Sequence, residues 1–154
     1  MVDMDVRLLP TGFDPAAVHG DFLARFGALG AVAAFTGVVR ETAKGAAVDY
    51  LYLDGYPGMT EASIQAIADA AAERFDIRAL CIHHRCGEVR AGEPCVFVAA
   101  VSAHRRAAFE AVDYMMDRLK SEAALWKREV GPEVDHWVEP TGKDADDLKR
   151  WSKM

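Results

Sequence analysis

Much that would mark this chain as a specialist is missing. Its 154 residues hold only three cysteines, an odd number with no Cys-x-x-Cys spacing, which excludes a disulfide framework. No apolar run reaches the roughly 18 residues of a spanning helix. The start, Met1-Val2-Asp3-Met4-Asp5-Val6, lacks the basic-then-apolar form of a signal peptide. Together these predict a cytoplasmic protein. There is no Gly-rich phosphate loop and no Gly-x-Ser-x-Gly elbow, so nucleotide-loop and serine-hydrolase chemistry lose support. Positive charge is also scarce: 18 Lys and Arg against 24 Asp and Glu, a net charge of -6. Nucleic acid and anionic membranes want a broad basic surface, so neither is expected as a partner. Any anion site must be local.

What remains is an ordinary globular composition, 51% hydrophobic and 27% charged. No repeat, low-complexity tract or long linker divides it. Residues 1-154 therefore read as a single domain.

The patterning predicts a strand at Val2–Leu9, then a helix opened by Asp14-Pro15, a capping residue followed by proline at the first helical position. His19 in that helix is expected to be exposed. Ala31–Arg40 reads as a strand buried on both faces, with Gly37 marking a bulge or close approach. Glu41–Ala47 reads as a polar loop. Val48–Asp54 alternates like a strand. Thr60 is a candidate cap for an amphipathic helix through Phe75. Arg78–His84 is a strand, Gly87–Glu93 a turn region, and Cys95–Val101 the central strand. Ser102 is a candidate cap for a long helix, His104–Ala124. Leu125–Val130 and His136–Val138 are short strands, and Asp144–Trp151 is a final helix. Paired strands between helices predict an α+β fold with a mixed or antiparallel sheet rather than a doubly wound one.

Two basic clusters stand out against the acidic background. One is His104-Arg105-Arg106, at the mouth of the long helix, where free backbone N–H groups favour an anion. The other is Lys120 with Trp126-Lys127-Arg128-Glu129. Neighbouring charge and desolvation push a lysine towards its neutral, reactive form. Lys120, crowded by Lys127 and Arg128, is the candidate tuned lysine. Lys120 and Lys127 share a side only if one helix continues through both. A solvated helix face is the alternative. Cys81, His83, His84, Cys86 and Cys95 could suggest zinc, but their spacing fits no usual pattern, and no metal is expected.

Six stretches then become familiar: Phe35-Thr36-Gly37-Val38-Val39-Arg40, Tyr56-Pro57-Gly58-Met59-Thr60-Glu61, His84-Arg85-Cys86-Gly87-Glu88, Ser102-Ala103-His104-Arg105, Phe109-Glu110-Ala111 and Trp126-Lys127-Arg128-Glu129. In this order the chain resembles the large, catalytic subunit of molybdopterin synthase, the MoaE family, from about Gly30 to Trp151. The resemblance implies an α/β-hammerhead fold. It implies a sulfurtransferase that moves two sulfurs onto cyclic pyranopterin monophosphate, making the dithiolene of molybdopterin. The donor would be the C-terminal thiocarboxylate of a small ubiquitin-like subunit of the MoaD type. It further implies a homodimer and no resident cofactor.

By the same resemblance the catalytic residues would be Lys120 and Lys127, and the substrate pocket would add Val38, Val39, Arg40, His104, Arg105, Arg128 and Glu129. The chain departs from the family pattern in two places. Asp54-Gly55 stands where Glu-His is familiar, and Val38 where a lysine often stands. The second leaves phosphate binding more to Arg40 and Arg105. The competing readings are a non-catalytic module that docks a ubiquitin-like tail, an unrelated Schiff-base lysine enzyme, and a metal protein built on the Cys81–Cys95 region.

Overall fold

The computed structural model describes residues 1–153. Its main sheet has the order β1-β6-β8-β2, with β1 at Asp3–Leu9, β2 at Ala31–Val38, β6 at Ala79–Arg85 and β8 at Pro94–Ser102. Strand β1 runs parallel to β6, and the other pairs are antiparallel. The sheet is therefore mixed, and the α+β expectation holds.

Helices cover both faces of this sheet. On one side lie α2 (Met59–Arg74) and α3 (Arg105–Glu122), packed on Leu80, Ile82, Val96, Val98 and Ala100. On the other lies α1 (Pro15–Phe26), whose Phe22 packs on Cys81, Phe97 and Ala99. Being covered twice, β6 is buried along its whole length, and β8 over its last seven residues. This is why β8 reads as a continuous apolar run rather than an alternating one, whereas β6 is apolar from Ala79 to Ile82 and then buries His83, His84 and Arg85.

Strand β2 has the same apolar run but not the same burial. Among the described residues it is an edge strand, paired only to β8, and Phe35 and Val38 are 43% and 49% exposed. The expectation of burial on both faces is overturned for the single chain. Composition reports a tendency to be covered, not what covers it. The bulge expected at Gly37 is present, as a register shift between Gly37 and Val38. There a Cβ would come within 2.7 Å of a Val96 methyl.

A second sheet has the order β10-β9-β5-β7, all antiparallel. Its strands are β5 (Tyr50–Gly55), β7 (Gly87–Arg90), β9 (Leu125–Val130) and β10 (Asp135–Val138). Strand β7 falls in the stretch expected to be a turn, since four residues bounded by glycines leave little pattern to read. The polar loop before β5 also contains a ribbon, β3 (Thr42–Ala43) with β4 (Ala46–Ala47). Lys44 and Gly45, at φ 51° and 81°, join the two, the positive pair that a two-residue hairpin turn demands.

Helix α1 starts as expected: Asp14 Oδ1 accepts from the Ala16 N–H at 3.0 Å, with Pro15 following. His19 is half-buried beside Phe97, not exposed. The other two caps differ from expectation. Gly58, not Thr60, caps α2, with its N–H donating to Glu61 at 3.1 Å. Thr60 instead turns inward and is fully buried. His104, not Ser102, occupies the cap position of α3. The last helix, α4, spans Gly142–Lys149 and is capped by Thr141, and a 3-10 turn follows at Arg150–Lys153. Trp151 pins this end to the body. It is 8% exposed and meets Phe75 and Tyr114 edge-on, while its indole N–H donates to Asp117 at 2.7 Å.

Candidate functional site

The two sheets, the end of α3 and the segment leading into α4 enclose a cleft of about 980 Å³. Five cations line it; Lys44 and Lys143 are two, and the other three come from three different elements. Arg40 follows β2, Lys120 lies in the last turn of α3, and Lys127 lies on β9.

The backbone near Arg40 is fixed from outside its own strand. The Val39 N–H donates to the Glu93 carbonyl at 3.0 Å, and the Gly92 N–H donates back to the Val39 carbonyl at 2.8 Å. Glu93 in turn faces the buried Arg85 guanidinium at 3.6 Å.

Helix α3 stops at Glu122, so Lys120 and Lys127 do not share a helix. They meet because β9 turns back along the cleft, with Lys127 in register between Leu53 of β5 and Val138 of β10. Lys120 is exposed and Lys127 half-buried. Burial pushes the Lys127 ammonium below its ordinary value, and the charge of Lys120 pushes the same way. Lys127 therefore has the environment that tunes a lysine.

Strand alternation sorts the rest of the motif. Glu129 faces the cleft with Lys127, and its Oε1 lies 3.2 Å from His136 Nε2. Arg128 does not line the cleft. It makes a paired contact to Asp135 at 2.6 and 2.7 Å and lies over the Trp137 ring. Its neighbours in the single chain are across the strand, on the other face. Val38 and Val39 line the cleft as apolar wall.

His104 and Arg105 are not in this cleft within one chain. They open α3, and Lys120 is near its close. At 1.5 Å per residue that is roughly 22 Å along the axis.

The cysteines and histidines also separate. Cys95 lines the cleft, and its thiol donates to the Gly37 carbonyl at 3.4 Å. His84 is buried below, pushed down to about 4 by desolvation and further by the lysine charges. Its Nδ1 is 2.7 Å from the Arg85 carbonyl, so Nδ1 carries the proton. Cys81 and His83 share a face of β6 with Asp5 beside them. There His83 Nε2 contacts Asp5 at 3.0 Å, Arg7 holds the other oxygen at 2.8 Å, and burial pushes the Cys81 thiol up to about 12.

The model of the family described as MoaE protein matches residues 11–122. The chain belongs to the MoaE family. It is 46% identical over 150 residues to the molybdopterin synthase catalytic subunit of Caulobacter vibrioides, covering 97% of this chain and 99% of that one. It is 47% identical over 122 residues to the Escherichia coli protein of the same name, covering 79% and 81%. Among solved structures, the MoaE protein of Burkholderia ambifaria superposes with a TM-score of 0.80 at 36% identity, covering 99% of both chains. In this MoaE chain the cleft also uses residues that sequence reasoning did not single out, among them Tyr56, Met59 and Asp144. Tyr56 and Met59 stand in one of the familiar stretches, which was the available signal. Asp144 lies beyond the last familiar stretch and carried none.

Proposed function

We propose that this MoaE chain is the catalytic subunit of a molybdopterin synthase, a sulfurtransferase of molybdenum cofactor biosynthesis. The observation that carries the reading is the cleft itself. On a protein of net charge -6, it gathers Arg40, Lys120 and a half-buried Lys127 whose ammonium is destabilised. The substrate is cyclic pyranopterin monophosphate, and the sulfur donor is the C-terminal thiocarboxylate of a small ubiquitin-like subunit. Both are anions, and two sulfurs are transferred in all. The name "catalytic subunit" borne by the relatives supports an assembly with another subunit.

Arg40 suits the cyclic phosphate, because a guanidinium offers paired charge-assisted hydrogen bonds. Lys127, whose ammonium is destabilised by burial and by the charge of Lys120, is the candidate proton-exchanging group. Lys120, exposed at the rim, meets the incoming thiocarboxylate and keeps the neighbouring charge that holds Lys127 low.

His104 and Arg105 join this site from a second copy of the chain. The free edge of β2 supports a homodimer. Ala31, at the start of β2, is in register with Ser102, just before His104. Val38, at the end of β2, lines the cleft. Two copies paired antiparallel along this edge would carry His104 and Arg105 of one towards Val38 and Arg40 of the other.

The test mixes the protein with thiocarboxylated small subunit and cyclic pyranopterin monophosphate. Dithiolene product is expected from the wild type and none from Lys120→Ala, which should keep its fold and oligomeric state. Near-normal turnover by that variant, or docking of the small subunit without product in the wild type, would overturn the assignment.

A further inference from the structure

Two residues, Ala123 and Ala124, separate helix α3 from strand β9, and they lie between the two lysines of the cleft. The chain changes direction here, Ala123 having the extended backbone of φ -67° and ψ 132°. What holds this corner is a different helix. The Ala124 N–H donates to Ser63 Oγ at 3.0 Å. The Ala124 carbonyl accepts from the Thr60 hydroxyl at 2.7 Å. One residue is thus gripped on both sides by hydroxyls three residues apart on α2, a spacing that puts them on one helix face.

The two hydroxyls are each used twice. Thr60 Oγ1 also accepts from the Tyr56 N–H at 2.8 Å, and Ser63 Oγ donates to the Thr60 carbonyl at 2.7 Å. Each therefore has one donated and one accepted bond, which satisfies the group without leaving it free to rotate. Tyr56 lines the cleft, so the same oxygen ties together a cleft wall and the corner. Thr60 is fully buried, and such a network is stiff. Nothing about packing alone requires hydroxyls here; small apolar residues would fill the space. What hydroxyls add is direction, because they decide the angle at which β9 leaves the helix.

We propose that Thr60 and Ser63 are positioning residues for the lysine pair, setting the separation of Lys120 and Lys127 by holding Ala124 at both its N–H and its carbonyl. The proposal rests on the reading of this cleft as the sulfur-transfer site. Neither hydroxyl touches a reacting atom. Misplacing a reacting group by about 1 Å can lower a rate on the order of 100-fold, so a loosened corner is felt in kcat.

The test compares Thr60→Val, Thr60→Ser and Ser63→Ala with wild type. Two readouts are taken: dithiolene formation, and the pH at which Lys127 becomes half-reactive to an amine-acylating reagent, read by mass spectrometry. Thr60→Val and Ser63→Ala are expected to lose about tenfold or more in kcat, with KM changed by less than about threefold. The Lys127 midpoint should move towards the ordinary lysine value. Thr60→Ser, which keeps the hydroxyl, should restore both. Folded variants with wild-type turnover and an unmoved midpoint would overturn the proposal. If Thr60→Val fails to fold, Ser63→Ala decides by the same readouts. If wild type makes no dithiolene, the sulfur-transfer reading falls, while the Lys127 midpoint still decides the corner: a shift supports it and no shift refutes it.

Discussion

Lys127 approaches Lys120 from a different element: one lysine lies on an interior strand of the second sheet, the other in the last turn of α3. Their mutual repulsion and the burial of Lys127 act in the same direction. Replacing Lys120 by Met removes one of the two causes and leaves the larger, burial. The midpoint of Lys127 acylation should therefore rise in Lys120→Met, yet stay below the ordinary lysine value. Identical midpoints in wild type and variant would show that the two ammonium groups are not neighbours in solution.

His84 makes the fold sensitive to acid. Its folded value is about 4, against an ordinary 6.5. Between those values the unfolded chain binds a proton that the folded chain does not, so stability rises with pH across this window. The contribution is complete above about 6.5 and is lost as pH falls towards 4. One proton corresponds to a slope of at most about 1.4 kcal/mol per pH unit. Urea titrations of wild type and His84→Gln between pH 4 and 7 should show a shallower dependence in the variant. Parallel curves would mean that carboxylates alone drive acid unfolding.

Trp151 anchors the segment that walls the cleft. Truncation to Ala removes two ring contacts, to Phe75 and Tyr114, and the bond to Asp117. The expected cost is about 3–5 kcal/mol. Because Thr141, Lys143 and Asp144 line the cleft, release of α4 should also lower turnover. Denaturant unfolding and the sulfur-transfer assay, run together, check both halves.

Gly131 has no room for a side chain. A Cβ there would meet the Ala47 carbonyl oxygen at 2.0 Å and the Ala47 carbonyl carbon at 3.1 Å. Neither is the tip of a flexible group, so the backbone must move. Gly131→Ala should destabilise by about 1–3 kcal/mol and displace the ribbon beside Thr42 and Val48, two residues of the cleft wall. A melting temperature equal to wild type would count against this close approach.

Much of this was legible in residue patterns. The cap at Asp14-Pro15, the bulge at Gly37 and the central apolar strand are local statements, and each followed from residue pattern. The ribbon at Thr42–Ala47 and strand β7 were missed because two to four residues hold too little periodicity. The caps of α2 and α3 were misassigned for a related reason. Thr60 and Ser102 are good capping residues by type, but their hydroxyls are claimed by distant backbone, Ala124 and Asp76. Lys127 and Arg128 are adjacent in sequence and point to opposite faces, which became plain only once β9 was known to be a strand.

The sequence alone determined the α+β class, the helices and most of the strands, and the presence of rare basic clusters in an acidic chain. These depend on side-chain period and on charge, both properties of neighbours along the chain. Tertiary structure decided which cations meet. It turned Arg128 outward, buried Lys127 rather than Lys120, left His104 and Arg105 at the far end of α3, and brought in Thr60 and Ser63. Those outcomes depend on strand pairing and burial across more than sixty residues of chain, and no local pattern encodes such contacts.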